Sequence, residues 1–165
     1  HSDVFPYDIR INMDYKKCYK IFENCSPLKA DCGLICDKRC CHGDENTGML
    51  LFPGEETSLT VKEINGRRLA VCGGICDRAQ RPLSCRIFPF FPVINEKGKI
   101  EVTPDYRGLA VCPLIAHTDE VIFDRRFLRM VKKVGRLLLE DEKCAEFLKE
   151  ISAEISDEKK LRNLF

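Results

Sequence analysis

Apolar and polar positions alternate along this chain with two different periods, and the period changes as the chain proceeds. Tyr15, Cys18, Tyr19 and Phe22 recur at i, i+3, i+4 and i+7 within Asp14 to Glu23, which predicts a short amphipathic helix. Met49-Leu50-Leu51-Phe52 before Pro53-Gly54 predicts a short buried strand that ends in a turn. Val61 to Ile64 and Arg67 to Cys72 flank Asn65-Gly66, a dipeptide that readily takes the two positive φ angles of a type I′ turn, so a hairpin is expected there. A second hairpin is expected from Phe91 to Ile94, through Asn95-Glu96-Lys97-Gly98, to Lys99–Val102, with Pro89 and Pro92 making its first strand short or placing it at an edge.

The last third turns helical. Thr118 is the expected N-cap, Asp119 and Glu120 the first turn, and Phe123, Phe127, Met130 or Val131, Val134 and Leu138 the buried stripe. Arg125, Arg129, Lys132, Lys133 and Arg136 fall on the opposite face, which reads as a solvated face or an anion-binding surface. A further helix from about Asp141 carries Cys144, Phe147, Leu148 and Ile151, and Ser156 is expected to cap a final short helix with Leu161 and Leu164. Cys18 and Cys144 lie on apolar stripes and read as core thiols, whereas Cys25 beside Ser26-Pro27 fits either role.

Composition alters this outline at one place. Lys29 to Thr47 is dense in Cys, Gly, Asp and Lys and poor in large apolar side chains, so something other than a core must organise it. Of the eleven cysteines, eight fall in a pattern: Cys32, Cys36, Cys40 and Cys41, then Cys72, Cys76 and Cys85, then Cys112. Thiols at this density either staple a secreted scaffold or hold a soft metal. The odd cysteine count, the absence of an apolar leader run, and 165 residues, enough to bury a core, favour metal and a soluble, cytoplasmic protein. The expected architecture is α+β, a single domain over 1–165 with an irregular cysteine-rich metal-binding core at 32–112, short hairpins, and a helical tail at 118–165.

If the first cluster coils, Cys32, Cys36 and Cys40 share one side and Cys41 points elsewhere. Cys72 and Cys76 enclose Gly73-Gly74, whose permissive backbone allows two thiols to reach one ion. Arg81 and Arg86 flank Cys85 and are expected to offset thiolate charge from around the ion. Four-thiolate sites suit tetrahedral zinc or, alternatively, iron as a [4Fe-4S] cluster, and eight thiols allow two such sites. His42 can replace a thiolate, and His117 reads as a capping or surface residue. With 27 basic against 26 acidic residues, no nucleic acid or membrane partner is expected unless a local patch supplies one; a protein partner stays open.

The order Cys-x3-Cys-x3-Cys-Cys, Cys72-x3-Cys76 and then Arg81-Pro82-Leu83-Ser84-Cys85-Arg86-Ile87-Phe88-Pro89 resembles the YkgJ-type cysteine-cluster proteins, a zinc- or iron-chelating family. The resemblance covers about Cys32 to Cys112, with three-residue gaps where family members often have two, and implies metal binding in a soluble bacterial protein. The cluster is also similar to that of flagellin lysine N-methylase, which raises an iron–sulfur redox or accessory module as the alternative. A methyltransferase fold would need a glycine-rich strand-to-helix loop with an acidic residue beyond it, and the chain has none. Cys41-His42 offers a nucleophile and a base, but neighbours in sequence seldom align for attack. Glu55-Glu56 reads as a solvated turn, with Glu55 able to orient groups around a metal.

Overall fold

Asp14 opens the first described helix: its side chain accepts a hydrogen bond from the Lys17 N–H at 3.2 Å, closing one of the unpaired donors at the N-terminus of α1 (Tyr15–Ile21). The protein is seen in a computed structural model that describes residues 13–28, 48–72 and 77–163. As the periodicity requires, α1 buries Tyr15 and Cys18, with Phe22 just beyond its end.

Three strands follow, β1 (Met49–Leu50), β2 (Thr60–Ile64) and β3 (Arg67–Val71), in the antiparallel order β1-β3-β2. Asn65 and Gly66 join β2 to β3 with φ of 53° and 78°, the type I′ geometry expected of this dipeptide. The strand read over Met49 to Phe52 is only two residues long. Leu51 still donates its N–H to the Arg68 carbonyl at 2.9 Å, but Phe52 gives its N–H to Glu55, and the chain leaves the ladder there.

After a 3₁₀ turn at Arg78–Gln80 comes the five-residue helix α2 (Leu83–Ile87), then β4 (Phe90–Ile94) paired with β5 (Ile100–Pro104). Asn95 builds the connecting loop by accepting N–H bonds from Lys97 and Lys99 at 2.9 Å each on its side chain, while Gly98 supplies the positive φ of 77°. Pro92 is tolerated because β4 has a partner on one side only. It shares the phase of Ile94, whose N–H points away from β5 and is taken by the Ser152 hydroxyl at 2.9 Å.

The remainder is helical: a 3₁₀ turn at Tyr106–Gly108, α3 (Pro113–Ala116), α4 (Arg125–Leu139) and α5 (Glu142–Asn163). Two expectations are corrected here. Helix α4 starts after Asp124, not after Thr118; the Asp124 side chain caps the Arg126 N–H at 2.9 Å, and its own N–H is held by the Pro27 carbonyl at 2.9 Å. Val121 and Ile122 are β-branched and disfavour the helix, and Phe123 is turned into an edge-to-face contact with Phe90 at 4.7 Å, which holds the chain out of a helix just before Asp124. Helix α5 runs unbroken through Ser156, because Ile155 extends the buried row of Cys144, Leu148 and Ile151 and no glycine or proline interrupts it.

The core is apolar and draws on α1, β1, α2, the β4–β5 hairpin, α4 and α5. Phe52 stacks on Phe91 at 5.7 Å and meets Phe147 at 5.1 Å, tying the β1 loop to the hairpin and to α5. Helix α4 comes down on the hairpin at Gly135, where a Cβ would lie 2.6 Å from Pro92 and 2.8 Å from Ile100. Arg67 of β3 reaches Glu154 of α5 through two contacts of 2.7 and 2.8 Å. A smaller cluster of Cys112, Leu114 and Ile115 packs beside it. The fold is thus α+β with helices dominant at the C-terminal end; of the cysteine-rich core expected at 32–112, residues 32–47 and 73–76 lie outside the described residues. No helix among the described residues is long and apolar enough to cross a membrane.

Candidate metal centre

Of the residues assigned to a metal by their spacing, Cys72, Cys85 and Cys112 are described, as are the two arginines Arg81 and Arg86. Cys32, Cys36, Cys40, Cys41 and Cys76, together with His42, lie outside the described residues. Cys72 follows the last residue of β3 and is half-buried, so the hairpin does deliver it at the end of its second strand. Cys112 is buried at the start of α3, donating its N–H to the Gly108 carbonyl at 3.0 Å, with Pro113 in the first helical position where a missing N–H costs nothing. Among the described residues no group of three or more His, Cys, Asp or Glu side chains is placed to hold a metal ion. Cys72, Cys85 and Cys112 therefore do not complete a site by themselves.

Cys85 is the best anchored of the three. It sits in the middle of α2, and both sides of that short helix are fixed by buried hydrogen bonds. Ser84 donates its hydroxyl to the Leu50 carbonyl at 2.5 Å, hooking α2 to β1. At the N-terminus, the Leu83 N–H meets a Glu55 carboxylate oxygen at 2.7 Å. Glu55 has 0% exposure, against the expectation of a solvated turn, while its neighbour Glu56 is exposed. Its carboxylate also accepts from the Phe52 N–H at 3.1 Å and from the Tyr19 hydroxyl at 2.5 Å. The Arg68 guanidinium donates to the Glu55 and Phe52 carbonyls at 2.9 and 3.0 Å and so fixes the backbone of the same turn. Burial pushes the Glu55 pKa up, and the Tyr19 hydroxyl and the two N–H groups oppose that rise without cancelling it.

Tyr19 is shared between two groups. Its hydroxyl goes to Glu55, and its ring lies under the Arg86 guanidinium, 4.3 Å from the centroid. Burial raises the Tyr19 pKa and, acting on a cation, lowers that of Arg86. Arg86 donates from Nε to the Arg81 carbonyl at 2.7 Å and from a terminal nitrogen to the Ala79 carbonyl at 3.1 Å. It thus ties α2 back to the 78–81 turn that follows Cys76. A connected chain of polar contacts, Phe52/Leu83–Glu55–Tyr19–Arg86–Arg81, surrounds the segment that bears Cys85. The sequence singles out Glu55, Arg81 and Arg86, but not Tyr19 or the contacts that join the four. The available clue was a glutamate directly after Leu-Leu-Phe-Pro-Gly, where an apolar run carries the next polar residue inward.

The thiols assigned to the core are where they were expected. Cys18 and Cys144 have no exposed surface, and burial pushes their pKa values up to about 12 and about 11. The Tyr15 hydroxyl lies 3.3 Å from the Cys144 sulfur and donates to the Pro53 carbonyl. Such thiols stay protonated near neutrality, and a protonated thiol is neither a nucleophile nor a metal ligand. Cys25 is half-buried against the same core. His117 is exposed and faces Glu120 at 3.6 Å, a surface residue as expected.

No family model matches the chain, and no curated protein and no solved structure matches it.

Proposed function

We propose that this chain is a cysteine-rich metal-binding protein that holds zinc, or alternatively iron or a [4Fe-4S] cluster, through thiolates drawn from Cys32, Cys36, Cys40, Cys41, Cys72, Cys76, Cys85 and Cys112. The observation that carries this reading is the rigid setting of Cys85: a five-residue helix fixed at its N-terminus by a buried glutamate and at its flank by a buried serine. So much buried hydrogen bonding around one half-buried thiol is costly to assemble unless the position of that thiol matters. The donor chemistry suits a soft ion. Cys72 and Cys85 are only partly buried, unlike the core thiols Cys18 and Cys144, and Arg86 adjoins Cys85 to balance the negative charge that several thiolates bring. The resemblance to YkgJ-type proteins supports the same assignment, and thiols kept reduced to hold a metal suit a cytoplasmic setting. In this reading the chain carries no catalytic group of its own and serves as a metal-holding or accessory module.

Elemental analysis with an optical spectrum, on protein purified without oxygen, tests the reading. Zinc at about one or two equivalents without colour fits closed four-thiolate sites, and iron with matching sulfide and a brown absorbance fits the cluster. Cys36→Ser and Cys85→Ser are each expected to lower the metal content. Full metal content in both variants, or no metal in the parent protein, would sink the assignment.

A further inference from the structure

Every exposed side chain of α4 is a cation: Arg125, Arg126, Arg129, Lys132, Lys133 and Arg136. At about 100° per residue these six fall within an arc of roughly 120°, spread over about 16 Å of helix axis. The buried residues Phe127, Val131, Val134 and Leu138 centre on the opposite side. An ordinary solvated helix face mixes its signs, and α5 does so: Glu142, Glu146, Glu150 and Asp157 alternate with Lys143, Lys149, Lys159 and Lys160. Helix α4 has no acidic residue along its length, and among the described residues none of its six cations is in an ion pair.

Fold stability does not account for this arrangement. Arg125 and Arg126 occupy the first turn, where the helix dipole disfavours positive charge. Arg125/Arg129, Arg129/Lys133 and Lys132/Arg136 are like-charged i,i+4 pairs, each destabilising by a few tenths of a kcal/mol. The near-zero net charge averages over the patch: with these six set aside, the rest of the chain holds 21 basic and 26 acidic residues.

We propose that this face is a docking surface for duplex nucleic acid, held through the phosphate backbone without reading sequence. Arg125, Arg129, Lys132 and Arg136 form a row with steps of about 6, 4.5 and 6 Å along the helix axis, with Arg126 and Lys133 beside it. Cations in a row at these steps can neutralise phosphates along a duplex, which carries one negative charge per about 1.7 Å of its axis. Four of the six are arginines, whose forked guanidinium suits phosphate oxygens. The face has no aromatic ring to stack on unpaired bases, so a duplex backbone fits better than a single strand. A membrane surface fits less well, because peripheral helices add an apolar face to their charge and the apolar face of α4 is spent on the core. This proposal is independent of the metal assignment.

The test is fluorescence anisotropy of the full chain with a labelled 20-base-pair duplex of arbitrary sequence, titrated over 50 to 200 mM salt. Six phosphate contacts predict a slope of log K against log salt of about −5 and little change on altering the sequence. Arg129→Gln/Lys133→Gln is expected to bring the slope to about −3.5 and weaken binding at every sequence, with metal content and melting temperature retained. Lys159→Gln/Lys160→Gln on α5 is expected to leave binding unchanged. The proposal is overturned by a slope shallower than about −2, or by equal binding of parent and Arg129→Gln/Lys133→Gln. Tighter binding to phosphatidylserine vesicles or to polyglutamate than to the duplex would overturn it equally, and would assign the face to a membrane or to an acidic protein.

Discussion

A carboxyl group with no exposed surface gives up its hydration and receives three hydrogen bonds in return, and at Glu55 both of its oxygens serve as acceptors. Glutamine in its place must aim an NH₂ group at a backbone N–H, leaving a buried donor facing a donor. Glu55→Gln is therefore expected to destabilise the fold by about 1–3 kcal/mol, read as a shift of the chemical-denaturation midpoint. Burial raises the Glu55 pKa in the folded chain above its ordinary value near 4.5. Between the unfolded and folded pKa values the native state binds more protons, so the contribution of Glu55 is fullest below about pH 4.5 and is lost as pH rises through the folded pKa. The stability gap between parent and Glu55→Gln should accordingly narrow as pH rises, and a gap that widened would assign the opposite sign to the shift. The position of Glu55 after Leu51-Phe52-Pro53-Gly54 marks it as the member of the Glu-Glu pair able to orient other groups, but its full burial and its bond to Tyr19 depend on partners distant in sequence.

Gly135 governs how closely α4 approaches the β4–β5 hairpin. An alanine there gains roughly 1 kcal/mol of helix propensity, but its methyl would meet Pro92 at 2.6 Å and Ile100 at 2.8 Å, both stiff side chains. Overpacking of this kind costs about 1–3 kcal/mol, so Gly135→Ala is expected to lower the melting temperature; a rise, as propensity alone would give, would show that the helix can lift off without loss. The elements themselves were legible where one local rule dominates. Asn65-Gly66 can hardly make anything but a tight hairpin, and the stripes of α1, α4 and α5 repeat often enough to be read. Their ends were not, because distant partners set them: Pro27 and Phe90 delay the start of α4, and burial of Ile155 carries α5 past a serine that would otherwise cap a new helix. Helices α2 and α3, five and four residues long, are too short to show a period at all. For the candidate site, the thiol list came from spacing, whereas the polar chain through Glu55, Tyr19 and Arg86 joins residues 36 or more positions apart and leaves no local pattern.

At the scale of the whole molecule, the question is how far folding depends on the thiols. The main apolar core runs from Tyr15 to Ile155, and the cysteines buried within it, Cys18 and Cys144, are held protonated by burial and do not compete for an ion. Its contacts join α1, β1, α2, the second hairpin, α4 and α5 without a bound group: Phe52 bridges Phe91 and Phe147, and Phe127 meets Phe22 and Phe90. A small zinc domain unfolds when its metal is withdrawn because it has no other core. On the proposed function, chelating the metal under reducing conditions is expected to leave most of the helical ellipticity and a cooperative melt, with the melting temperature lowered by the lost binding energy. In that outcome the metal organises the segments around Cys72, Cys85 and Cys112 on a scaffold that already stands. Loss of the helical signal in step with metal release would instead make the ion part of the core, and would require that Glu55 and Ser84 hold α2 in place only while the metal is bound.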